Sequence, residues 1–291
     1  MYEHFTSFDK RKQLASLTAS LPVEFHTPTI DKLTILADFK YYEKTMLEMQ
    51  GHPDMMENPR IDHSMHYAYR LSLASDFFIQ VAHPTETNVQ NLRIEFNPNK
   101  CNPIDSIFHW LLPRIRNKRI SRVDYAIDYP FSLAEWQPTT ERPRKMCRYH
   151  SPTGQSETTY LGSPNSGNQY RIYDKVAEQL ANNLVPDHPV HWRIEQQFNL
   201  TKNQETWMLR PFEDLILWKP DSYTGNFIDD AILDKLYEDP HNWSRLTSHQ
   251  RRKYRAIIKD HDRVEHPPIH PVTTFQHGKQ PLEAFITALL A

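Results

Sequence analysis

The sequence predicts an α+β protein: a central, curved, mostly antiparallel sheet built from two similar halves, with helices packed on one side and a helical C-terminal part. Three observations carry this. Residues 91–98, 120–129, 169–175 and 191–198 alternate apolar and polar side chains, the period of a half-buried strand. A helical segment separates the first two of these strands, and another separates the last two. Beyond about residue 203, helical spacing of the apolar positions replaces alternation. The expected organisation is a 1–200 unit with repeated strand-helix-strand elements, followed by a helical part over 201–291.

The elements follow in order. Residues 51–60 (GHPDMMENPR) read as a polar loop, and 71–82 as a strand or two with a turn near Ser75-Asp76. In 91–98, Leu92, Ile94 and Phe96 point one way while Arg93, Glu95 and Asn97 point the other, and Asn97-Pro98 ends the strand. Ile104, Ile107, Phe108, Leu111, Leu112 and Ile115 then fall on one helical face. Pro103 suits the first turn of that helix and Pro113 shortens it. In 120–129, Val123, Tyr125 and Ile127 share one face, and Arg122, Asp124, Ala126 and Asp128 the other. Residues 130–157 hold four prolines without a period and read mostly as loop. A short strand over 158–163, a hairpin turn over 164–168 and a returning strand over 169–175 come next. A helix over 176–184 leads to the strand 191–198. Helices are expected at Trp207–Trp218, Asp229–Tyr237, Ser244–Lys259 and Pro281–Leu290.

Composition narrows the function classes. The 291 residues are 38% hydrophobic and 12% aromatic, enough for a sizeable core and against disorder throughout. No apolar run approaches the roughly 20 residues of a membrane helix, and the N-terminus lacks the apolar stretch of a signal peptide. A cytoplasmic protein with no membrane partner is therefore expected. Cys101 and Cys147 have no CxxC neighbour, which excludes a structural zinc finger and suits reduced thiols. The net charge of −2 argues nothing for a polyanion, but 111–178 and 241–291 are each net basic, as a local anion-binding surface or an ordinary mixed surface would be.

Four strands share one grammar: Arg93-Ile94-Glu95, Arg122-Val123-Asp124, Arg171-Ile172-Tyr173 and Arg193-Ile194-Glu195. In each, an arginine and a polar residue two positions on face one side, with a branched residue between them facing the core. Arginine and acid paired across an exposed sheet would give the same pattern. A tyrosine replacing the acid in one strand suggests a shared functional surface instead. Tyr173 has Arg171 and Lys175 on its own face. A phenol with an ordinary pKa of about 10 needs such cations to act as a nucleophile, and the same cations attract phosphate. Asp124, Asp128, Glu95 and Glu195 supply oxygens for Mg²⁺ or Mn²⁺. Asp124 and Asp128 lie about 13 Å apart along an ideal strand, so Asp124 with Glu195 is the preferred pair.

Other signals are weaker. His63/His66 and His188/His191 have a metal-compatible spacing in polar surroundings and read as solvated. Residues 163–167 lack the spacing of a phosphate loop. Arg114, Arg116, Lys118, Arg119 and Arg122 form one cationic cluster. Arg245, Arg251, Arg252, Lys253, Arg255 and Lys259 form a second on a predicted helix. Either suits a DNA backbone or a solvated face.

The segments RIEFNPNK (93–100), RVDYAID (122–128), YLGSPNSGNQYRIYDK (160–175) and WRIEQQF (192–198) resemble the Rep-trans family of rolling-circle replication initiators of plasmids, filamentous phages and, as relaxases, conjugative elements. The resemblance covers roughly residues 60–200, and the YLGS…RIYDK block is its most specific part. It implies an origin-binding enzyme whose tyrosine nicks one strand of an extruded hairpin with Mg²⁺ or Mn²⁺, leaving a 5′-phosphotyrosyl link and a free 3′-OH. By position the nucleophile is Tyr173 with Lys175 behind it, and Tyr160 and Tyr170 are rivals. The metal-site acids are Asp124 and Glu195, then Asp128 and Glu95. Val176 stands where the family often has a second lysine. A host helicase and a second copy of the chain are the further partners implied. A non-catalytic DNA-binding regulator of the same fold is the alternative, and a protein-interaction domain without DNA is another.

Overall fold

The computed structural model describes residues 24–290, apart from 51–59, 62–65, 75–76, 84, 87, 101–109, 143, 153, 155, 221–225 and 261–262. Its strands are β1 (Pro28–Phe39), β2 (Arg60–Ile61), β3 (Tyr67–Ala74), β4 (Phe77–Ala82), β5 (Leu92–Phe96), β6 (Ile115–Tyr129), β7 (Gln137–Thr140), β8 (Met146–His150), β9 (Ser156–Leu161), β10 (Asn168–Asp174), β11 (Trp192–Asn199), β12 (Leu215–Pro220) and β13 (Val264–Glu265). Ten of them form one sheet in the order β2-β3-β4-β5-β1-β6-β11-β10-β9-β8, and neighbouring strands run antiparallel.

The two halves are related by winding. In each, the first long strand (β1 or β6) takes the middle of the sheet. Later hairpins return inward, so that the last strand (β5 or β11) docks beside it. The repeat is therefore bounded differently from the expected strand-helix-strand unit. β1 belongs to it, and bulges interrupt the alternation of its buried residues.

The alternating strands place their branched residues in one core. Ile94, Val123, Ile172 and Ile194 are buried there with Leu33, Ile35, Ile79, Tyr125 and Phe198. Phe275, Ile286 and Leu289 of the helix Pro271–Leu290 join the same cluster, so this helix covers the apolar face of the sheet. It comes so close that a Cβ on Gly278 would lie 2.4 Å from Pro28 Cδ. β12 is shared between two cores. Leu215 and Leu217 enter the main one, while Ile216 and Trp218 pack with Leu233, Leu236, Tyr254 and Ile257 of the helices Phe227–Glu238 and Ser248–Ile257.

Several elements differ from expectation. Most of the helix read over 104–115 lies outside the described residues. What is described ends in a 3₁₀ turn at Leu112–Arg114, and Ile115 already begins β6. The proline-rich 130–157 stretch contains β7 and β8, each lying at a sheet edge, where a missing N–H is tolerated. The expected helix Trp207–Trp218 is a 3₁₀ turn at Thr206–Met208 followed by β12. Ser244–Lys259 splits into a 3₁₀ segment Pro240–Arg245 and a helix starting at Ser248. There Thr247 and Gln250 form a capping box that forces a new helix start. The last helix begins ten residues before Pro281. The polar loop 51–60 and the turn at Ser75-Asp76 lie almost wholly outside the described residues. Among the described residues no helix is long and apolar enough to cross a membrane.

Candidate active site

Four strands position the site. On the polar face, register pairs Asp128 of β6 with Arg193 of β11 and Arg193 with Tyr173 of β10. One step along, Glu195 pairs with Arg171, and Arg171 with Tyr160 of β9. Cation, acid and phenol thus alternate in both directions across the sheet, because side chains two apart along a strand share a face.

Tyr173 is 1% exposed. Its hydroxyl donates to Glu195 Oε1 at 2.5 Å. The Arg171 guanidinium lies 3.8 Å from its ring centroid, and Lys175 Nζ is 3.5 Å from its Oη. Burial, then the nearby Glu195, push its pKa well above the ordinary value, while Arg193 opposes them. Burial also pushes Glu195 up to about 7, with Asp31 adding to the rise and Arg193 and Arg171 opposing it. A buried carboxyl of that kind is poised to take a proton near neutral pH. Asp174 caps the helix Lys175–Ala181, accepting from the amides of Val176 and Ala177. Lys175 thereby turns back over the phenol, and Glu178, one turn on, meets both Lys175 and Arg171.

The four expected acids separate into three environments. Asp124 and Glu195 line a common cavity of about 180 Å³ with Arg122, Tyr160, Gln169, Arg171 and Gln197. Asp128 lies outside it, accepting from Arg193 Nε at 2.7 Å and Nη2 at 2.9 Å and facing His191 Nε2 at 2.6 Å. Burial acts to raise Asp128, but His191 and Arg193 outweigh it and bring it down to about 2. Glu95 lies on β5, separated from the strand of Glu195 by β1 and β6, and is held by Arg93 at 2.5 Å and Lys32 at 3.3 Å. Among the described residues no three Asp, Glu, His or Cys side chains converge. Asp124 and Glu195 nevertheless fit a hard cation of the kind that takes one or two carboxylates and completes its shell with water and substrate phosphate. Arg122, which donates to both Asp124 oxygens at 2.8 and 2.5 Å, would have to turn aside.

The rival tyrosines lie elsewhere. Tyr160 is half-buried at the cavity wall. Tyr170 faces the apolar side, fully buried, and donates to Asp214 Oδ1 at 2.5 Å. Of the expected DNA-contacting cations, Arg114 stacks on Trp110, Arg119 donates to Gln90, and Arg122 holds Asp124. Arg116 is exposed and Lys118 is half-buried. In the second cluster Arg251 donates to Trp243 O, Lys253 pairs with Asp229, and Arg255 lies over the Trp243 ring. Arg252 is exposed. Much of both clusters therefore holds the fold together.

Sequence reasoning missed Asp31, His191 and Glu178. His191 was expected to be solvated and is 1% exposed, held by Asp128. Its partner His188 packs against Phe25, His63 lies outside the described residues, and His66 is exposed. No local pattern marks Asp31. Glu178 had a signal, since a lysine and an acid three apart on a helix face one another.

No family model matches the chain. It is homologous to curated proteins from Staphylococcus aureus named Replication initiation protein. One is 28% identical over 197 residues, 66% of this chain and 62% of that protein. Another is 29% identical over 177 residues, 59% and 55% respectively. The chain thus spans about 62% of the length of the first of these relatives. Among solved structures, the rolling circle replication initiator protein from Geobacillus stearothermophilus is 16% identical with a TM-score of 0.39, covering 60% of this chain and 74% of that one.

Proposed function

We propose that this protein initiates replication by nicking one strand of an origin through Tyr173. The observation that carries the reading is a single phenol held between a carboxyl that accepts its proton and two cations suited to a phosphodiester. Homology to replication initiation proteins supports the biological setting.

In the proposed reaction Arg171 and Lys175 bind the non-bridging phosphate oxygens, and charge-assisted contacts to them strengthen as charge develops on phosphorus. The phenolic proton passes by way of Glu195 Oε1 to water, so Glu195 stays ionised. Tyr173 Oη then bonds to phosphorus and the P–O3′ bond breaks. The 3′ oxygen takes a proton from water and leaves as the primer hydroxyl. The phosphate stays esterified to Tyr173, so the reverse attack by a 3′-OH closes the strand without ATP. Asp124 and Glu195 would hold Mg²⁺ or Mn²⁺, which supplies further neutralisation of phosphate charge when bound. Unpaired DNA is needed for access, which a hairpin provides.

Incubation with a supercoiled plasmid carrying the cognate origin and Mn²⁺ tests the reading. Wild type should form nicked circles bearing covalent protein, with the DNA attached at Tyr173. Tyr173→Phe should bind the DNA and form no adduct. An adduct on Tyr160 would assign the wrong tyrosine. The burial of Tyr173 favours the second reading, a non-catalytic DNA-binding protein. Such a protein would retard the plasmid and never nick it.

A further inference from the structure

Tyr173 is closed off by groups that a substrate would need. Glu178 Oε1 meets Arg171 Nη2 at 3.0 Å, and Glu178 Oε2 meets Lys175 Nζ. The same Arg171 covers the Tyr173 ring, and the same Lys175 lies within 3.5 Å of its hydroxyl. Burial alone would raise the Glu178 carboxyl, yet Lys175 and Arg171 bring it below its ordinary range and hold it as an anion. A carboxylate with one oxygen on each cation has the charge and the two-point geometry of a phosphodiester's non-bridging oxygens. The helix that carries it is seven residues long and has no buried residue. Little apolar packing therefore resists its outward movement.

We propose that Glu178 is an internal place-holder for the scissile phosphodiester. It occupies Arg171 and Lys175 in the DNA-free protein and leaves as the backbone phosphate enters, which uncovers Tyr173. The inference rests on the nicking reading above. One monoanion replaces another, so no net charge is buried in the exchange. The affinity for DNA then carries the work of expelling Glu178, and removing that carboxylate should strengthen binding.

The test uses the full chain with Tyr173→Phe, so that no reaction intervenes, and a fluorescent mixed-sequence 20-nucleotide single strand as probe. Glu178→Gln keeps the size of the side chain and removes its charge. Glu283→Gln, on the helix Pro271–Leu290, removes the same charge elsewhere. Anisotropy at low salt should show roughly three- to tenfold tighter binding for Glu178→Gln and less than twofold change for Glu283→Gln. The salt dependence should steepen for Glu178→Gln alone, because solution ions replace the internal one. Glu178→Ser should behave like Glu178→Gln if charge is what matters. Equal or weaker binding for the two Glu178 variants, beside an unchanged circular dichroism melt, overturns the place-holder role. Failure of the nicking reading is seen separately, as absence of any covalent adduct on the wild-type tyrosine.

Discussion

Gln80 occupies on β4 the position that Tyr173 occupies on β10. Gln80 faces Arg93 of β5 in register, as Tyr173 faces Arg193 of β11, and Phe78 faces Glu95 as Arg171 faces Glu195. The two halves thus share a strand order and an arginine-acid strand, but only the second half places a phenol and its cations on that frame. Gln80→Tyr in a Tyr173→Phe background should accordingly form no covalent DNA adduct, because Phe78 stands where Arg171 would be needed. A denaturing gel of labelled DNA checks this.

Arg171 stacks on the tyrosine and pairs with Glu178 and Glu195. Arg171→Ala should slow single-strand cleavage by about two to three orders of magnitude, the scale of losing one preorganised donor to developing charge. Arg171→Lys should restore little of it, since an ammonium lacks the planar fork that reaches two acids while lying on a ring. Single-turnover cleavage rates separate the two variants.

Asp128 accepts from the nearly buried Arg193 and meets His191, while Asp31 takes Arg193 Nη1 at 2.7 Å. Its carboxyl titrates at about 2 in the fold against an ordinary value of 3.8. Between those values the unfolded chain binds a proton that the native protein does not. Stability from this group is therefore complete above about pH 4 and declines as pH falls toward 2. Asp128→Asn removes the two-oxygen acceptor of Arg193, which keeps Asp31, and should cost about 1–3 kcal/mol at neutral pH. The variant should also lose this part of the acid-limb slope in urea titrations.

Tyr170→Phe should keep the covalent adduct, since this phenol lies on the opposite face and meets Asp214. Its melting temperature should fall by an amount equivalent to about 1–3 kcal/mol, because Asp214 loses a buried donor. Adduct yield and calorimetry together distinguish this tyrosine from Tyr173.

Gly162 has φ of +98°, and a Cβ there would approach Asn168 O to 2.9 Å. Gly162→Ala should destabilise the β9–β10 hairpin by more than about 1 kcal/mol. Reduced amide protection around 159–172 in hydrogen exchange would show it.

Which residues share a face is legible in the sequence. Period-two alternation obliges Arg171 and Tyr173, Arg193 and Glu195, and Arg122 and Asp124 to project together, whatever strand lies beside them. It also determined the hairpin around 164–168 and the helices after residue 226 in outline. Which strands became neighbours is a matter of the assembled sheet, because register between β6, β10 and β11 is set by long-range pairing that no local window contains. That pairing joined Asp124 to Glu195 in one cavity and sent Asp128 to Arg193 and His191. It also brought in Asp31 from β1. The burial of Tyr173 beneath Lys175 and Glu178 depends on where the chain turns from strand into helix at Asp174, and alternation is silent about such corners.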